Sequence, residues 1–150
     1  MLAALLLLLC AALLGCGTQE RAVPAACTDG AAIVERALAA APRPVRLPGG
    51  TALSACVRHA DTDAELQSTG LALTAAADHL AARAQRGDAT AALRFGYLAG
   101  AVRRGAERTA GVAAELQRRV ERAGAYVAQD GGPAAGAALR RGLAAGRATG

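Results

Sequence analysis

Lysine and tryptophan are absent from this 150-residue chain, and Phe95, Tyr97 and Tyr126 are its only aromatic residues. A core built on aromatic stacking is thereby excluded, and because Ala and Gly supply much of the apolar content the core must be thin and closely packed. The shortage of β-branched and aromatic residues removes the usual material of sheets, whereas alanine is the best helix former, so the expected class is all-α. The length suits one domain with a modest core. All 17 basic residues are arginine, a composition from which no mechanism follows. Chemistry-bearing residues are equally scarce. Ser54 and Ser68 are the only serines and His59 and His79 the only histidines. Ser54, His59 and Asp61 lie near one another in sequence, but a five-residue separation on a helix puts Ser54 and His59 on different faces, so no nucleophile–base pair is expected. His59, Asp61 and Asp63 are the one local group of metal-ligand types. Without a Cys-x-x-Cys or His-Glu-x-x-His pattern, an acidic pair favouring the positive end of a helix explains them better. No Gly-rich phosphate loop is present either. The expectation is a non-enzymatic chain with no cofactor and no metal.

What the sequence has instead begins at its first residue. Leu2 to Leu14 is an unbroken apolar run without charge, long enough for the apolar stretch of an export signal and short of a comfortable bilayer span. It ends in Leu13-Leu14-Gly15-Cys16: an aliphatic residue three before the cleavage point, a small residue just before it, then cysteine. This resembles the lipobox of bacterial lipoproteins, over about the first 17 residues of the chain. The resemblance implies that residues 1–15 are a removable signal peptide and that Cys16 carries a diacylglyceryl group and becomes the acylated, palmitate-type amino terminus of the mature protein. It implies further that the chain is exported and held at the cell membrane or cell envelope, facing outside the cytoplasm. Two or three acyl chains anchor essentially permanently where one is marginal. Residues 16–27 then read as lipidated cysteine and flexible tether, reaching about 35 Å at most when extended, and residues 28–150 as a single helical domain.

If Cys10 leaves with the signal and Cys16 is committed to lipid, Cys27 and Cys56 remain as the thiols of an oxidising compartment. Pairing is expected between them, with two buried free thiols as the alternative.

Helix signals divide the rest. Thr28-Asp29 as cap and the face Ile33, Val34, Ala37, Leu38 and Ala41 predict a helix over about 29–41, ended by Pro42. The prolines and glycines from Pro42 to Gly50 predict a loop with a turn at Pro48-Gly49, after which Thr51 can cap a short helix carrying Leu53, Cys56 and Val57. Thr62 followed by Glu65 is a capping-box pattern, so a long helix is expected over about 63–86, with Gly87 as its left-handed stop and Asp88 capping the next. So short a link folds the two helices back on each other. Leu66, Gly70, Leu73, Ala77, Leu80 and Ala84 recur at spacings of three and four, as do Ala91, Phe95, Leu98, Val102, Gly105 and Thr109. Reflected about the turn they match pair by pair, with Gly70 opposite Gly105. The second stripe continues in phase through Val112, Leu116, Val120, Ala123 and Val127, predicting one helix over about 89–128, with Gly105 to Gly111 as the place for any bend. A last helix is expected over about 133–145. The predicted fold is a small bundle built on a long antiparallel hairpin.

Charge is uneven: residues 17–58 carry a net +2, residues 59–88 a net −3 and residues 89–150 a net +6. Arg118, Arg119 and Arg122, with Arg140 and Arg141, form a candidate basic surface for anionic headgroups or an acidic envelope polymer. Interleaved Glu107, Glu115 and Glu121 suit an ordinary solvated helix face equally well. Export makes nucleic acid an unsuitable partner. The expected function is a membrane-anchored, non-catalytic interaction module. Its partner would be another envelope protein or a second copy, met through the 112–127 stripe, which looks short of cover. A small-ligand-binding or anionic-surface-binding lipoprotein is the alternative.

Overall fold

The structure is a computed structural model describing residues 22–150; the signal run, Cys16 and the tether as far as residue 21 lie outside the described residues. The fold is a small all-α bundle. Helix α1 spans Ala31–Ala37 and continues as a 3-10 turn, Leu38–Ala40. Then follow α2 (Leu53–Arg58), α3 (Asp63–Gln85), α4 (Ala89–Ala106), α5 (Ala114–Ala123), α6 (Val127–Asp130) and α7 (Gly132–Thr149).

The helix ends carry the expected chemistry where the signals were strong. Thr62 and Glu65 form the reciprocal capping box at the start of α3, and Gly87 sits at φ 90° in the left-handed region that stops it. Asp88 then accepts a hydrogen bond from the Ala91 amide at 2.9 Å, capping α4. Signals were weaker elsewhere: Gly30 and Ala52, not Asp29 and Thr51, stand at the N-caps of α1 and α2.

The single helix expected over 89–128 is three helices. Local hydrogen bonding breaks it. The Thr109 hydroxyl donates to the Ala106 carbonyl at 2.8 Å and accepts the Ala113 amide at 3.2 Å, so one side chain satisfies both the end of α4 and the start of α5. Between them Ala110 (φ 48°) and Gly111 (φ 93°) turn left-handed, which no α-helix accommodates. A second break follows at Gly124, where any side chain would overlap the Phe95 ring. The Gly70–Gly105 pairing is corrected with it. Gly105 lies against the Ser54 carbonyl and Val57 of α2, and Gly70 faces Leu116 of α5, because the redirected α5 covers the first half of α3.

The closest packing is between helices distant in sequence. Gly96 and Gly100 of α4 meet Leu139, Leu143 and Arg147 of α7, while Gly142 and Gly146 of α7 meet Leu93, Tyr97 and Ala101 of α4. Residue numbers rise together along both, so α4 and α7 run parallel with their backbones in direct contact, the arrangement that four-residue glycine spacing permits. Tyr97, fully buried in this seam, accepts a hydrogen bond from the Val45 amide at 3.0 Å and shares another with the Thr149 hydroxyl at 3.0 Å. The proline-rich loop is thereby pinned to the end of α7. The last carbonyls of α7 are covered by Arg46, which donates to Thr149, and by Arg104, which donates to Arg147 and Ala148. Both guanidiniums sit at the negative pole of the helix.

Residues 23–27, assigned above to the tether, belong to the folded unit. Val23 packs against the core and Ala26 and Cys27 are buried, because Cys27 is joined to Cys56 of α2 by a disulfide, with a Cα–Cα distance of 5.5 Å.

Candidate interaction surface

Two helices that were not expected to meet, α3 and α5, build the candidate site. Leu66, Gly70 and Leu71 on α3 face Leu116 on α5 across an open groove of about 350 Å³, with Asp63, Gln67, Thr74, Glu115 and Arg119 completing its walls. The groove exists because Gly70 brings no side chain to the contact, and its only close neighbour across the gap is Leu116 Cδ1. Leu71 forms the lip and is 67% exposed. Sequence reasoning missed it. It lies one residue off the apolar stripe of α3, and that misplacement was the available signal.

Arg118, Arg119 and Arg122 come together on one carboxylate. All three guanidiniums lie 3.0–3.1 Å from Glu115, whose pKa is held below the usual range chiefly by the Arg119 and Arg118 hydrogen bonds. Glu121 is engaged by Gln117 at 2.9 Å and by Arg103 at 3.8 Å. The exposed face of α5 therefore keeps a surplus of positive charge, although each of these contacts is solvated and individually weak. Arg140 and Arg141 are exposed on α7, and no substantial packing joins α5 to α7, so the five arginines of the candidate basic surface are not one cluster.

The groups considered for catalysis are dispersed to structural tasks. The Ser54 hydroxyl is buried and donates to the Gly150 carbonyl at 2.6 Å. His59 is half-buried at the end of α2, and Asp61 lies exposed in the link to α3 with its amide on Glu65. His79 meets Glu35 of α1 at 2.9 Å on the surface. Among the described residues no three His, Cys, Asp or Glu side chains converge as a metal site.

The 112–127 stripe, which looked short of cover in the sequence, is covered by the chain itself: Leu116, Val120 and Val127 are buried, and of its larger residues Val112 alone stays exposed. The reason is again the break at 107–113, which lets α5 turn back onto α3 instead of running past it. No family model, curated protein or solved structure matches this chain.

Proposed function

We propose that this chain is a lipoprotein of the bacterial cell envelope, anchored through acyl chains on Cys16, whose helical domain is a non-catalytic interaction module. The observation that carries the reading is the uncharged apolar run Leu2–Leu14 closed by Leu13-Leu14-Gly15-Cys16. A second, independent observation supports it. Cys27 and Cys56 are joined, as expected of a protein that matures outside the reducing cytoplasm. No helix of the described residues is long and apolar enough to cross a membrane. The Ser54 hydroxyl, the serine nearest a histidine in the sequence, is bonded to the Gly150 carbonyl at the end of α7, which favours binding over chemistry.

The interaction surface of the module is the α3–α5 face. The groove is open to solvent and lined by a mixture of apolar and charged side chains, which suits surface contact better than enclosure of a small molecule. Metabolic labelling with a fatty-acid probe tests the anchor. Label on the wild type and its loss on Cys16→Ser are expected; equal labelling of both, or of neither, would refute it.

A further inference from the structure

We infer that the α3–α5 face is occupied by a second copy of this chain, as a two-fold dimer in which α3 of each copy lies over α5 of the other. The inference rests on the reading of this face as the interaction surface and names its partner.

A two-fold contact is one patch meeting itself, so a surface suited to it carries both members of each complementary pair. In shape the α3–α5 face does so. Leu71 projects at the edge of the groove, 67% exposed, and directly beside it Gly70 leaves the hollow that Leu66 and Leu116 line. Projection and hollow are neighbours on one helix. Two copies related by an axis running along the groove therefore exchange leucines, each side chain entering the other's recess, and both leave water in one step.

Charge is paired in the same way. Asp78 is exposed on α3 and, among the described residues, forms no ion pair, whereas on α5 Arg118, Arg119 and Arg122 share the single carboxylate of Glu115. Each helix holds the sign that the other lacks. Their levels also agree. Gly70 of α3 faces Leu116 of α5, and Gly131, which follows α6, abuts the Ala84 carbonyl near the end of α3, so α3 and the chain from α5 onward rise together. Asp78 lies about two turns beyond Gly70, and Arg122 nearly two turns beyond Leu116. An axis along the groove keeps these levels and sets Asp78 of each copy against Arg122 of the other. A partner of uniform charge gains nothing comparable, because α3 opposes it where α5 attracts it.

The reciprocal pairing makes a charge-exchange test available. Asp78→Arg gives a face on which both members of the pair are positive, and Arg122→Asp one on which both are negative. Each variant alone repels its own copy, while a mixture of the two restores both contacts. The full lipidated protein is studied in detergent by sedimentation equilibrium, with circular dichroism to verify that each variant is folded. The expected results are a reversible wild-type dimer, dissociation strengthened at least about tenfold by Leu71→Asp or by either charge variant alone, and recovery of the dimer when the two charge variants are mixed. A monomeric wild type, a dimer that survives Leu71→Asp, or charge variants that fail to recover on mixing would overturn the inference. A photo-reactive benzophenone side chain in place of Gln67, on the groove wall, separates this from the wider reading in intact envelopes. An adduct of two copies is expected. Adducts with a different protein alone would leave the face an interaction surface and overturn the second copy as its occupant; no protein adduct at all would overturn both.

Discussion

Gly142→Ala tests the packing argument at its tightest point. The substitution carries a built-in gain, since alanine is about 1 kcal/mol better than glycine inside a helix. Against it stands geometry. A methyl group at 142 would overlap the Leu93 carbonyl oxygen and lie 2.8 Å from the Tyr97 amide nitrogen, both of them backbone atoms of α4 that cannot swing aside. The helices must therefore part by roughly 1 Å, which forfeits a quarter to a half of the dispersion at each atom pair along the seam. It also pulls Thr149 from the Tyr97 hydroxyl. Overpacking of this kind costs about 1–3 kcal/mol, and at a contact of backbone on backbone the upper end applies, so a net loss of about 2 kcal/mol remains after the propensity gain. Gly136→Ala is the matched control on the same helix. Its methyl would meet nothing nearer than 3.7 Å, so the propensity gain stands alone and stability rises by about 0.5–1 kcal/mol. Urea unfolding followed by far-ultraviolet circular dichroism measures both. If Gly142→Ala proved as stable as the wild type, or if the two substitutions shifted the midpoint in the same direction, the claim that glycines admit α4 to α7 would be refuted.

Four further outcomes are expected. Replacing Cys27 and Cys56 together by Ala removes a cross-link across 29 residues; by loop entropy this costs about 3.5 kcal/mol, read as a lower midpoint in urea. Tyr97→Phe strands the buried Val45 amide and loosens the loop from α7; the expected loss is about 1–3 kcal/mol, with faster hydrogen exchange at Val45. Asp88→Ala removes the cap of α4 at about 1 kcal/mol near neutral pH. Because the Ala91 amide and Arg83 lower the pKa of Asp88, its contribution is present above the ordinary carboxylate range and is lost as pH falls below it, so wild type and variant should converge in acid urea titrations. Gly70→Ala meets only Leu116 Cδ1, at 3.6 Å; stability should rise by about 0.5–1 kcal/mol while the groove narrows.

Helix ends were legible because the signals are local. Thr62 with Glu65, and Gly87 with Asp88, act within four residues of chain, and nothing distant competes with them. The parallel α4–α7 seam was not legible in the same way. Its glycines at 96, 100, 142 and 146 repeat every fourth residue, but an apolar-stripe reading gives weight to large side chains and none to their absence. The break at 107–113 was hidden for a different reason: the stripe through Val112, Leu116 and Val120 continues in phase across it, so periodicity alone cannot distinguish a helix from two helices joined by a short turn. What decided it was one threonine hydroxyl competing for backbone groups. Of the candidate surface, Arg118, Arg119 and Arg122 were identified on composition, whereas the groove beside them depends on α5 turning back, and Leu71 acquires meaning only once that turn exists.

The two sides of the bundle have opposite construction, and this bears on which side is free to bind. Along α4 and α7 the surfaces are nearly bare backbone, the Tyr97 hydroxyl has a donor from the loop and a partner on α7, and the closing carbonyls are covered by two guanidiniums; little apolar area there remains to be buried. Across α3 and α5 the partners are leucines and long charged side chains around a glycine, which leaves an open groove and an exposed leucine at its edge. Folding alone gives no advantage to Leu71, Val112 or Tyr126 in water, since each exposed apolar side chain forgoes about 1.5–3 kcal/mol that burial would supply. Val112 and Tyr126 flank α5 in the chain and Leu71 stands across its groove, so the apolar area still open to burial lies beside α5 and not along the seam of α4 and α7.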